Sequence, residues 1–148
     1  MKTTFENLSK EFWAQLGQGK EMAFATSEGN KVTNRMMVVL TYEEKLYMLT
    51  DVGSTKCAQI RKNENVALCE GMLQITGTAR ILGGTMDEGN KRLAQAYKKA
   101  YEEYFDQYAA MLDSIFLEVS PQSAVVYVGE TEGYKIDFAS KTVVEIEM

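Results

Sequence analysis

A single α+β, barrel-like domain is what this chain predicts, on three observations. Short runs rich in Val, Met, Ile and Leu recur from about residue 20 onward, separated by turns bearing Gly, Asn and Glu. Helical spacing of apolar residues is confined to three stretches, 5–16, about 54–62 and 86–111. The 148 residues fit one domain, 1–148, large enough to bury a core without disulfide or metal. Many short antiparallel strands with a few peripheral helices make a barrel-like sheet.

The elements follow in order. Thr3 and Glu6 have capping-box spacing, and Phe5, Leu8, Phe12 and Leu16 recur at helical intervals until Gly17 and Gly19 stop them. Strands are expected over Glu21–Thr26 and Val32–Leu40, joined by SEGN, and over Leu46–Thr50 after a turn at Tyr42–Lys45. A short helix near 54–62 precedes strands Val66–Glu70 and Leu73–Leu82. Residues 86–111 carry Leu93, Tyr97, Ala100, Tyr104, Tyr108 and Met111 at helical spacing, as one long helix or two short ones. This tyrosine stripe reads first as a packing face and second as an aromatic ligand platform. Strands Ser114–Ser120, Ala124–Val128, Tyr134–Asp137 and Val143–Glu147 close the chain, with turns at Pro121, Gly129 and Gly133.

Composition narrows function. With 16 basic against 21 acidic residues and no basic stripe, a nucleic-acid or anionic-membrane partner has little electrostatic support. No apolar run approaches the ~18 residues of a membrane span, and the polar start MKTTFENLSK is not that of a signal peptide, so a cytoplasmic location is expected. Cys57 and Cys69 lack metal-ligand spacing and read as free thiols, so no metal site is expected. The chain has no histidine, which removes imidazole bases and the usual nucleophilic triads. Any chemistry must come from a bound cofactor.

One juxtaposition suggests a ligand. Arg35 interrupts the apolar strand VTNRMMVVL, and a guanidinium buried without a partner is costly, so it either reaches solvent or meets an anion. If the turn centres on Glu43 and Glu44, antiparallel partners have numbers summing to about 87, which sets Arg35 across from Val52. Gly53-Ser54-Thr55-Lys56 follows at a helix start, where backbone N–H groups, two hydroxyls and an ammonium converge. With the Arg35 fork they make a cradle for a phosphate monoester. The same residues also read as a plain helix start, with Ser54 as cap and Lys56 in water. Neither GxxxxGK[ST] nor GxGxxG occurs, so the common nucleotide loops are not expected.

The order R-x-x-V-V-L, L-T-D, G-S-T-K opening a helix, N-E-N-V-A-L and I-T-G-T-A resembles the FMN-binding split-barrel family related to pyridoxine/pyridoxamine 5'-phosphate oxidase, over about residues 20–82. The resemblance implies an antiparallel, Greek-key split β-barrel. It implies that Arg35, Ser54, Thr55 and Lys56 hold the phosphate of FMN, with Met36, Leu49 and Thr50 along the flavin and ribityl chain. It further implies a homodimer with flavin at the subunit interface, served by a small-molecule electron donor and acceptor. The C-terminus GYKIDFASKTVVEIEM lacks the R-P-x-R type segment of the vitamin oxidases, the only Trp is Trp13, and Leu40 and Thr55 stand where those enzymes carry basic residues. True pyridoxine phosphate oxidase activity is therefore not supported. The resemblance leads to an FMN-dependent oxidoreductase, with a non-catalytic flavin- or haem-binding dimer as the alternative and a plain dimeric interaction domain as the third reading.

Overall fold

The computed structural model describes residues 3–147. Helix α1, Phe5–Leu16, buries Leu8, Phe12 and Leu16 along one stripe. Its cap is Thr4 rather than Thr3: Thr4 has the extended backbone a cap requires, and its hydroxyl accepts from Asn7 N at 3.2 Å. Gly17, at φ 59, ends the helix in the left-handed region that glycine tolerates.

Strands β1, Gly19–Glu28, and β2, Lys31–Tyr42, pair along their whole length, from Gly19 opposite Leu40 to Glu28 opposite Lys31. Glu43 and Glu44, at φ 50 and 60, form a two-residue turn into β3, Lys45–Asp51, with the handedness that suits a twisted hairpin. The register is the expected one, since Leu40, Thr41 and Tyr42 oppose Tyr47, Leu46 and Lys45. It stops there. On its other edge β3 pairs with a distant strand along nearly its whole length, from Leu46 opposite Val119 to Asp51 opposite Ser114. Arg35 accordingly does not face Val52; its strand partner is Phe24 on β1.

Helix α2, Thr55–Lys62, leads to β4, Asn65–Glu70, and β5, Leu73–Gly84. A 3₁₀ turn then precedes α3, Lys91–Ala100, and α4, Glu102–Tyr108, so the helical stretch is two short helices broken at Tyr101. The remaining strands are β6, Ser114–Val128, β7, Glu132–Asp137, and β8, Thr142–Ile146. The pairing order β3-β2-β1-β4-β5-β6 closes on itself through β3–β6, giving a six-stranded antiparallel barrel from which β7 and β8 extend. No helix among the described residues is long and apolar enough to cross a membrane.

Pro121 is not a turn, and β6 runs straight through it. One edge of β6 passes from β3, which ends at Val119, to β7, which begins at Ser123. The other edge carries a register shift to β5 at Gly77, the partner of Pro121. A proline at this irregular point removes little ladder bonding. Gly77 is required by the close approach: a Cβ there would lie 2.6 Å from the Ser120 carbonyl oxygen and 2.9 Å from Val119 Cγ1. Gly77→Ala should therefore destabilise the protein by about 1–3 kcal/mol, measured by urea unfolding, because the crowded neighbour is backbone rather than a mobile side-chain tip.

Two apolar clusters divide the molecule. The barrel interior holds Met22, Phe24, Val39, Leu46, Met48, Leu117 and their neighbours, with α1 closing one end. The second, on the outer surface of β2, β3 and β6 beneath α3 and α4, centres on Tyr97, Phe105 and Phe116 with Leu40 and Leu49. At the closing seam the buried Glu118 carboxylate accepts from Tyr47 Oη at 3.0 Å and pairs with Arg80 at 3.0 Å and Lys45 at 3.5 Å, tying β3, β5 and β6 together.

Candidate functional site

Where β3 leaves β2, a cleft of about 380 Å³ opens. Met37 of β2, Leu49, Thr50 and Asp51 of β3, and Lys56 of α2 form one side. Tyr104 and Tyr108 of α4 and the turn Met111–Ser114 form the other. The two sides join at their base, because Asp51 and Ser114 are strand partners. The cleft thus follows from topology: β3 stays paired with β6 as far as Asp51 while its ladder with β2 ends at Tyr47, so β2 and β3 diverge and leave a gap between them.

The approach to α2 is held locally. The Asp51 carboxylate accepts from Gly53 N at 2.7 Å, Ser54 caps the helix by accepting from Cys57 N at 3.4 Å, and buried Cys57 packs into the barrel. Lys56 then donates from Nζ to Thr50 Oγ1 at 2.9 Å. Its ammonium lies below its ordinary pKa because burial strips it of water and because the Arg35 guanidinium is close enough to repel it.

Arg35 stands just outside the cleft lining, two residues before Met37 on β2. Its guanidinium donates to Phe24 O at 3.1 Å, to Thr26 Oγ1 at 2.9 Å and to Thr33 Oγ1. Thr26 and Thr33 donate in turn to Oε1 of buried Gln59 on α2, at 2.5 and 2.7 Å. All of these acceptors are neutral, and burial lowers the pKa of Arg35 as well. Among the described residues neither Arg35 nor Lys56 forms an ion pair. Two mutually repelling, partly desolvated cations held by neutral oxygens are an arrangement that an anion would relieve.

The sign of that strain gives a prediction. The folded pKa of Lys56 is below its unfolded value of 10.5, so the penalty on folding is present in full below the folded pKa and vanishes above the unfolded one. Lys56→Met should therefore raise the unfolding free energy of the ligand-free protein at pH 7, by less than about 1 kcal/mol given solvent screening of a half-exposed side chain. The gain should disappear above about pH 11 in urea titrations, where lysine is neutral in both states.

The residues expected from the sequence thus separate into groups. Leu49, Thr50 and Lys56 line the cleft, and Arg35 is electrostatically coupled to Lys56 from behind it. Ser54 is engaged as the helix cap and Thr55 is exposed at the helix start. Met36, 61% exposed, lies on the strand face opposite Arg35 and Met37 and does not line the cleft. Met37, Tyr104, Tyr108 and Ser114 are additional lining residues. The tyrosines were signalled by their helical stripe; Ser114 had no local signal.

The closed six-stranded sheet with a diverging edge defines an antiparallel split barrel of the kind found in pyridoxamine 5'-phosphate oxidase-like proteins. Known structures share it at low identity. A pyridoxamine 5'-phosphate oxidase candidate from Listeria innocua is 19% identical with a TM-score of 0.64, covering 79% of this chain and 95% of its own. HutZ, the heme storage protein of Vibrio cholerae, is 14% identical at TM-score 0.65, covering 84% and 95%. A FAD-binding protein from Mesorhizobium loti is 12% identical at TM-score 0.60, covering 75% and 88%. No protein-family model and no curated protein sequence matches the chain.

Proposed function

We propose that the protein binds FMN and acts as a flavin-dependent oxidoreductase between a small reduced donor and a small acceptor. The observation that carries this reading is the pair Arg35 and Lys56, two partly desolvated, mutually repelling cations with no carboxylate at ion-pair distance among the described residues, beside a cleft walled by tyrosines. Lys56 and Arg35 supply charge to the phosphate, Ser54, Thr55 and the α2 N-terminus supply donors, and Thr50 and Leu49, which line the cleft, serve the rest of the molecule, whereas Met36 faces away from it. Bound FMN would supply the hydride and electron chemistry that a chain without histidine lacks. The protein's own contribution is to neutralise, orient and exclude water.

A cytoplasmic homodimer belongs to the same reading. Support comes from the outer face of β1 and β4, where Ala23, Ala25 and Ala67 leave a flat surface of small side chains, and from exposed Met36 and Val32 on neighbouring β2. A second reading, flavin or haem binding without turnover, is favoured by the use of this fold in a heme storage protein. The visible spectrum of the FMN-loaded protein, before and after anaerobic addition of NADH or NADPH, separates the two. Bleaching of the yellow band supports the oxidoreductase; a yellow band that persists supports binding alone; failure to take up FMN contradicts both flavin readings.

A further inference from the structure

The half of the cleft contributed by α4 and the turn after it has its own chemistry. Tyr104 and Tyr108 sit one helical turn apart with ring centroids 4.8 Å apart and planes tilted by 53°. Burial and the neighbouring Tyr108 raise the pKa of Tyr104, so it stays a neutral phenol. At the foot of this wall Ser114 is only 7% exposed, and its hydroxyl has no hydrogen-bond partner in the protein. A buried hydroxyl left unsatisfied is destabilising, and such groups in native proteins call for a ligand or water. The lip opposes this with apolar surface: Leu112 is 99% exposed and Met111 58%. The carboxylates of Asp51 and Asp113 on the cleft disfavour a second anionic group here.

We infer that Tyr104, Tyr108 and Ser114 form a ring-binding subsite for a planar, uncharged heteroaromatic ring. The ring lies against the tyrosine pair and shares a hydrogen bond at its polar edge with Ser114 Oγ, while Met111 and Leu112 cover its outer rim. One chain therefore supplies both the anion end and the ring end of the cleft. The identity of the ring as a flavin rests on the FMN reading above; the aromatic wall and the unpartnered hydroxyl do not.

The test titrates riboflavin and FMN into the full-length protein and into Tyr108→Leu, Ser114→Ala and Lys56→Ala variants, following flavin fluorescence, which stacked tyrosines quench. Tyr108→Leu and Ser114→Ala should each weaken both ligands by the same factor, about tenfold. Tyr108→Leu should also leave the bound flavin more fluorescent. Lys56→Ala should weaken FMN and spare riboflavin. Ser114→Ala removes one oxygen and keeps the fold, so unchanged affinity for both ligands in this variant and in Tyr108→Leu overturns the subsite. An unchanged FMN affinity in Lys56→Ala overturns the phosphate assignment instead and leaves the ring subsite standing. Wild-type protein that quenches neither ligand overturns both.

Discussion

Replacing Arg35 and Lys56 together by alanine should weaken FMN binding by about 3–5 kcal/mol, read by isothermal titration at fixed ionic strength, because each charge-assisted contact contributes about 1.5–3 kcal/mol. The two positions are not equivalent. Lys56 faces the cleft directly, with only the Thr50 hydroxyl on its ammonium, so its removal takes away a donor the anion touches. Arg35 already donates to Phe24 O, Thr26 and Thr33, so its share comes through proximity and field as much as through a new bond. Arg35→Lys keeps the charge but cannot span those acceptors with one planar fork, and should retain only part of the affinity. In the ligand-free protein the relief of two repelling, partly buried cations is offset by the loss of the Arg35 bonds to Phe24 O, Thr26 and Thr33, so the double variant should be less stable than Lys56→Ala alone. A double variant with parental affinity would remove the anion site.

The second large effect is on stability. Tyr97→Ala should cost about 3–5 kcal/mol, measured by urea unfolding followed by circular dichroism. Tyr97 is fully buried at the centre of the outer cluster, with Tyr101, Phe116 and Phe105 at 5.4, 5.8 and 6.4 Å between ring centroids. Its hydroxyl donates to the Val38 carbonyl of β2 at 2.9 Å, close to the point where β3 departs. Tyr97→Phe keeps the ring and removes that bond, and should cost only about 1 kcal/mol. Tyr97 also fastens α3, and with it α4, to the sheet. The alanine variant should therefore bind FMN more weakly than the phenylalanine variant, although residue 97 does not line the cleft. A cost under about 1.5 kcal/mol for Tyr97→Ala would mean that the hairpin is held elsewhere.

What the sequence made legible is what is local. The Glu43–Glu44 turn sets a register that Leu40–Tyr42 and Lys45–Tyr47 obey, since a two-residue loop leaves little choice. Leu49, Thr50 and Lys56 could be read as neighbours because strand end and helix start are contiguous in the chain. The placement of Arg35 opposite Val52 failed for a long-range reason: the β2–β3 ladder ends at Tyr47 while β3 follows β6 on its other edge, a pairing some seventy residues away in sequence that no local pattern announces. Pro121 read as a turn because proline breaks ladders, yet its neighbours let β6 change partners just there. Ser114 was silent for the same reason, as only the β3–β6 register brings it beside Asp51. Thr4 rather than Thr3 as helix cap is a one-residue difference between adjacent, chemically identical candidates.

The most direct probe of the anion site is the phosphorus resonance of bound FMN followed through pH. The second ionisation of a phosphate monoester ordinarily lies near pH 6. Held by Lys56 and Arg35, the bound phosphate should stay doubly charged to about pH 5 or lower, because nearby cations favour its charged form. A bound resonance that titrates with the midpoint of free FMN would put the phosphate in water and the two cations to some other use.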